Sequence, residues 1–145
     1  MTDDQVLHVI ETRCKERFNA TWNQQPEIIL VYEKTAARTP PPPFVRLYVD
    51  CIGSNGEAYG GGRIDYSKVG LITAQIFTES GQGTTLARKI GAVFEEIFAG
   101  QSFGGIICRE TILITVRGAE RQNAQLVQMN SRTPFEYTHS INTEQ

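Results

Sequence analysis

Lys68-Val-Gly-Leu-Ile-Thr-Ala-Gln-Ile-Phe-Thr78 is followed at once by Glu79-Ser-Gly-Gln-Gly-Thr-Thr85 and Leu86-Ala-Arg-Lys-Ile-Gly-Ala-Val-Phe-Glu-Glu-Ile-Phe98. The first stretch carries one charge, at Lys68, and is rich in branched and aromatic side chains, which predicts a strand. Val69, Leu71 and Phe77 fall on one face and Ile72, Ala74 and Ile76 on the other, so the strand is expected to be central and covered on both faces. The Ser/Gly/Thr stretch is a turn and cap. Leu86, Ile90, Val93, Phe94 and Ile97 then recur at helical spacing on one face, and Gly100 closes that helix.

Upstream, Asp3 or Asp4 can cap a helix running to about Phe18, with Leu7, Ile10, Cys14 and Phe18 as its apolar stripe. Ile28 to Tyr32 reads as a short strand. Glu33 to Pro43 reads as a linker ending in four prolines that favour an extended path. Phe44 to Cys51 alternates, with Val45, Leu47, Val49 and Cys51 inward and Arg46, Tyr48 and Asp50 outward. Gly53 to Tyr66 holds five glycines and is expected to be a long mobile loop. Downstream, Ile106 to Cys108 and Glu110 to Arg117 read as strands, the second with Ile112, Ile114 and Val116 on one face. Gly118 to Gln125 is a polar connection. Leu126 to Tyr137 is a last strand in which Pro134 marks a sheet edge, and the tail from His139 is expected to be loosely held.

A chain of 145 residues fits one domain, spanning 1–145, with a core of its own. Its net charge of −2 supplies no basic field to draw it to nucleic acid or to a membrane surface. No apolar run reaches the roughly 18 residues of a spanning helix. Met1-Thr-Asp-Asp4 lacks the basic and apolar regions of a secretion signal. Cys14, Cys51 and Cys108 have no paired spacing, which suits reduced, mostly buried thiols in a cytoplasmic setting.

Catalytic patterns are missing from the sequence. The Gly81–Thr85 turn lies where phosphate-binding loops sit, but no lysine follows at Walker spacing and no dinucleotide fingerprint is complete, so a plain helix N-terminus is the better reading. His8 and His139 lie at opposite ends of the chain and have no metal-ligand spacing. No nucleophile elbow is present. Arg88-Lys89 precede Glu95-Glu96 on the second helix, an order that opposes the helix dipole and hints at a partner. The candidate interface residues are Glu57, Tyr59, Arg63, Asp65 and Tyr66, because tyrosine and arginine on a long glycine-rich segment are the residue types that anchor contacts.

Four stretches in order carry a resemblance: Pro40-Pro-Pro-Pro-Phe-Val-Arg-Leu-Tyr-Val49, Gly70-Leu-Ile-Thr-Ala-Gln-Ile-Phe77, Gly81-x-Gly83 opening a helix, and Gln128-Met-Asn-Ser-Arg-Thr-Pro-Phe-Glu-Tyr137. With the N-terminal helix they cover most of the chain, which resembles the tail-terminator, or tail-completion, proteins of long-tailed bacteriophages of the lambda type. It departs from that pattern in having Phe44 where a tryptophan is common, and Ser67-Lys68 where an arginine-rich entry is common. The resemblance implies an α+β fold, a mixed and mostly antiparallel sheet with two helices packed against one face. It implies a homohexameric ring on the tail tube that stops tube polymerisation and faces the head's connector or stopper protein. It further implies a virion protein at the tail–neck junction, assembled in the host cytoplasm, with DNA only passing through the lumen, no membrane, no cofactor and no enzymatic activity. The other readings are a head-completion or stopper protein of the neck, and, from a different class, a small ligand-binding or enzymatic domain using the Gly81–Thr85 turn.

Overall fold

A computed structural model describes residues 1–33, 39–82, 84–116 and 126–142. The expected α+β class holds: two helices pack on one face of a mixed, mostly antiparallel sheet. In chain order the elements are α1 (Asp3–Thr21), β1 (Ile29–Tyr32), β2 (Phe44–Gly60), β3 (Arg63–Glu79), α2 (Thr85–Phe98), β4 (Ser102–Phe103), β5 (Ile106–Cys108), β6 (Ile112–Thr115) and β7 (Leu126–Asn142). The sheet runs β1-β2-β3-β7-β5-β4, and β6 also pairs with β7. Among the described residues only β1 and β2 pair in parallel. No helix among them is long and apolar enough to cross a membrane.

The first helix is capped by Thr2 rather than by an aspartate. Thr2 Oγ1 accepts from the Gln5 amide at 3.3 Å and Gln5 Oε1 accepts from the Thr2 amide at 2.8 Å, a reciprocal capping box that leaves Asp3 and Asp4 in the first turn. The helix continues one turn past Phe18, to Thr21, and Trp22 is buried after it with Nε1 donating to the Pro26 carbonyl at 2.8 Å.

Val6, Ile10, Cys14 and Phe18 of α1 and Ile90, Phe94, Ile97 and Phe98 of α2 are buried. They meet Val45, Leu47, Ile72, Ala74, Ile76 and Met129 of the sheet in one cluster. The Phe18 and Phe94 rings lie 5.3 Å apart and join the two helices. The second helix therefore buries the face read from its 3.6-residue spacing, and Gly100 follows it at φ 67°.

Four expectations are corrected. First, β3 is central, but the helices cover only one of its faces. Ile72, Ala74 and Ile76 point under them and are buried, while Val69, Leu71 and Phe77 on the opposite face are half-buried. Periodicity reports apolarity, and it does not report how many layers a domain has. Second, Gly53 to Tyr66 is no loop. It is the distal half of a hairpin of β2 and β3 whose only turn is Gly61-Gly62, at φ 57° and 72°. Two successive positive φ values define the two-residue turn that matches strand twist, and glycine adopts them without a Cβ clash.

Third, Pro134 lies inside the sheet, between β3 and the β5–β6 side. Its carbonyl accepts from the Arg109 amide at 2.8 Å, so its missing N–H points to the same side, where Arg109 to Thr111 leave the ladder between β5 and β6. A proline is tolerated there because no donor is wanted. Fourth, the polar tail is strand from His139 to Asn142, the last part of β7, with His139, Ser140 and Ile141 opposite Tyr66, Asp65 and Ile64, while residues 143–145 lie outside the described residues. The strand expected over Glu110 to Arg117 is shorter, Ile112–Thr115, and its exposed Ile112 and Ile114 face away from the helices. Arg117, the Gly118 to Gln125 connection and part of the linker before the prolines lie outside the described residues.

Candidate interaction arm

The distal part of the β2–β3 hairpin and the end of β7 form a three-stranded arm that outruns the helices. Five rungs, from Ser67↔Thr138 to Arg63↔Asn142, carry the arm beyond the Lys68↔Tyr137 pair, a reach of about 17 Å at strand rise. The helical layer stops at its base. There Tyr137 Oη donates to Asp3 Oδ1 at 3.1 Å, the N-terminal ammonium donates to the Thr138 carbonyl at 3.1 Å, and His139 Nδ1 meets the Met1 carbonyl at 2.6 Å.

Pleating decides which side each candidate serves. β2 gains one residue between Cys51 and Gly53 and another between Ser54 and Gly56. Each bulge flips the alternation, so the two cancel, and Glu57 and Tyr59 return to the face of Val45 and Leu47. Three of the five sequence candidates, Glu57, Tyr59 and Tyr66, therefore share the helix-side face of the arm with Ile64, His139 and Ile141. Arg63 and Asp65 share the opposite face with Ser140.

On the helix side the Tyr59 hydroxyl donates to Glu57 Oε2 at 2.5 Å, and that carboxylate raises the Tyr59 phenol above its ordinary pKa. Tyr59 is 73% exposed, and Ile141 is 44% exposed beside the half-buried Ile64. On the other face Arg63 Nε lies 3.1 Å from Asp65 Oδ1, which also accepts from Ser140 Oγ at 2.6 Å. Arg63 is thus spoken for, and the arm presents apolar and aromatic surface rather than positive charge. Ile52, Ile64 and Ile141 were not singled out by sequence. Their signal was available only as alternation across glycines, and reading it needed the pairing with β7.

Compared with family models and with curated proteins, the chain matches none. Solved structures do match, twelve chains in all. One of them, which has no descriptive name, covers 94% of this chain and 96% of its own length at TM-score 0.63 and 17% identity. At that identity the likeness concerns the fold alone.

The remaining candidates are dispersed. Thr84, the residue before α2, has no side-chain cap bond, and its hydroxyl accepts from Arg88 Nε at 3.3 Å. Gly83 lies outside the described residues. Cys14 and Cys108 are buried, Cys51 is half-buried, and all three are free. Burial pushes the Cys14 and Cys108 thiols up to about 12, which suppresses the thiolate form that a nucleophile needs. Among the described residues no group of three metal-ligating side chains converges.

Proposed function

We propose that this chain is a structural virion protein that caps a phage tail tube as a ring of identical copies. In that position it ends tube polymerisation and offers the tail-side surface for joining the head. The observation that carries the reading is the arm. A three-stranded projection with Tyr59, Ile64, Tyr66 and Ile141 on one face has no helix over it among the described residues. Exposed contiguous apolar surface on a rigid element is the mark of a docking surface. The order of sequence stretches that resembles tail terminators supplies the identity of the partner, and the α+β fold agrees with that resemblance. The lumen role of DNA stays passive in this reading, since Arg63 is paired with Asp65 and no cluster of free cations lines the arm among the described residues.

The test is to mix the protein with purified tail tubes and image them by negative stain. Rings seated on one end of tubes that no longer elongate are the expected result. Binding to isolated head connectors with no binding to tubes would move the protein to the neck.

A further inference from the structure

Among the described residues, exposed large apolar side chains fall mainly in two places. Tyr59 and Ile141 are exposed on the helix-side face of the arm, beside the half-buried Ile64 and Tyr66. Ile107, Ile112 and Ile114 are exposed on the other face of the sheet, the one that bears no helix. Single exposed isoleucines need no explanation, but three in a row do. These three form a strip. They sit opposite Glu136, Arg132 and Asn130 of β7, so the strip runs six residue steps along β7, about 20 Å. The arm's five rungs span about 17 Å, a matching length.

The geometry points to a head-to-tail contact between copies of this chain, in which the helix-side face of one arm lies on the Ile107–Ile112–Ile114 strip of the next copy. This rests on the ring reading above and names the two surfaces that would close the ring. Three observations favour a second copy as the occupant. The patches match in length. They also match in charge: Glu57 stands on the arm face, its carboxylate accepting from Tyr59, while Arg132 stands beside Ile112 on the strip, exposed and without an ion pair among the described residues. Finally, they lie on opposite faces of one sheet. A contact between unlike faces cannot be two-fold symmetric, because each copy uses a different patch. It stacks every sheet in the same sense, so it propagates and must close into a ring or run on as a filament. Three strands at ordinary spacing give the arm a width of about 14 Å. Its flat footprint is then well below the ~800 Å² per partner of a standard interface, so a single junction is weak and closure of the ring stabilises it.

The test uses full-length chains with Cys51→Ser, in which the two remaining thiols are buried. One preparation carries Tyr59→Cys, the other Ile112→Cys with a mass tag, and a short bis-maleimide is the probe. Mixing should give a heterodimer and little else, while neither preparation alone should cross-link. Strong homodimers of the Tyr59→Cys chain, or no cross-link at concentrations where the unaltered chain self-associates, would overturn the contact. A charge exchange gives an independent reading. Glu57→Arg should weaken self-association about tenfold or more by sedimentation, and adding Arg132→Glu to the same chain should restore it. Restoration excludes misfolding as the cause of the loss, whereas no rescue in a chain with unchanged melting would overturn the pairing. Rings on tubes with no Tyr59–Ile112 cross-link would reject this contact and leave the proposed function standing. Absence of self-association both in solution and on tubes would reject both.

Discussion

Phe94 shows how one side chain couples the layers. It is 1% exposed, its ring lies 5.3 Å from Phe18, and it belongs to the cluster that includes the sheet's Ile72 and Ile76. Phe94→Ala should cost roughly 3–5 kcal/mol, a large part of a domain's total stability. Chemical denaturation would measure it, and an unchanged midpoint would mean that the face is misassigned. Gly70 is needed for a different reason. A Cβ there would lie 2.2 Å from Phe135 Cζ and 2.6 Å from the Asp50 carbonyl oxygen. The Phe135 ring occupies the space above the glycine, so Gly70→Ala should destabilise by about 1–3 kcal/mol through overpacking. Adding Phe135→Leu should recover only part of that in a double-mutant cycle, because the carbonyl stays in place. The thiols make a third prediction. Burial raises Cys14 and Cys108 from 9.0 to about 12, so the folded state holds their protons and the unfolded state releases them. Their contribution is complete below about pH 9 and is lost as pH rises through about 12. Melting temperature should therefore fall on alkalinisation above pH 9, and maleimide at neutral pH should label Cys51 alone in the native protein.

At the scale of elements, the arm and the body are separable in energy. The buried cluster contains nothing from Ile52 to Ser67. Replacing Glu57 to Asp65 with a two-residue glycine-containing turn shortens the hairpin and removes Tyr59 and Ile64 while leaving the helices, β1 and β4 to β6 in place. The expected outcome is a folded protein with a melting temperature lowered by a few degrees at most and no capping of tubes. Complementation of a terminator-deficient phage reads this as tail length and titre. Normal tails and full titre would show that the arm is not an assembly element. The paired strands also change the physical reading of the five glycines. They sit in a laddered arm whose direction is set, so docking costs less ordering entropy than a mobile loop would require.

For the whole molecule, the asymmetry of the sheet matters most. Among the described residues one face is covered by two helices and the other bears none, and the arm continues the covered face past its helices. A contact between those two unlike faces is head-to-tail rather than two-fold, because each copy contributes a different one. Six copies is the number expected from the likeness to tail terminators. Native mass spectrometry of isolated necks should give that count. Dilute protein can be monomeric without contradicting it, because the tube can template the ring, whereas a different count on the tube would reject the hexamer.

Local chemistry determined a good deal of this protein. Alternation in Phe44 to Cys51, the branched and aromatic content of Lys68 to Thr78, and the 3.6-residue spacing of Ile90, Val93, Phe94 and Ile97 are properties of neighbouring residues, so both strands, the helix and the inward faces of the first strand and the helix were legible from sequence. The α+β class was implied by the resemblance, and the pairing of the strands bears it out. Tertiary structure decided what depends on distant partners. Gly53 to Tyr66 became strand because β7, some seventy residues later in the chain, pairs with Arg63 to Ser67 and leaves only Gly61-Gly62 as the turn. Pro134 entered the middle of the sheet because β5 ends and β6 begins beside it, where no N–H is needed. Five candidate residues were read as one site, and the pleat of the paired strands sorted them onto two faces, Glu57, Tyr59 and Tyr66 on one and Arg63 and Asp65 on the other, the two bulges of β2 cancelling. Residue types set what a strand can bury, but the register with its partners decides which side of the sheet each residue serves.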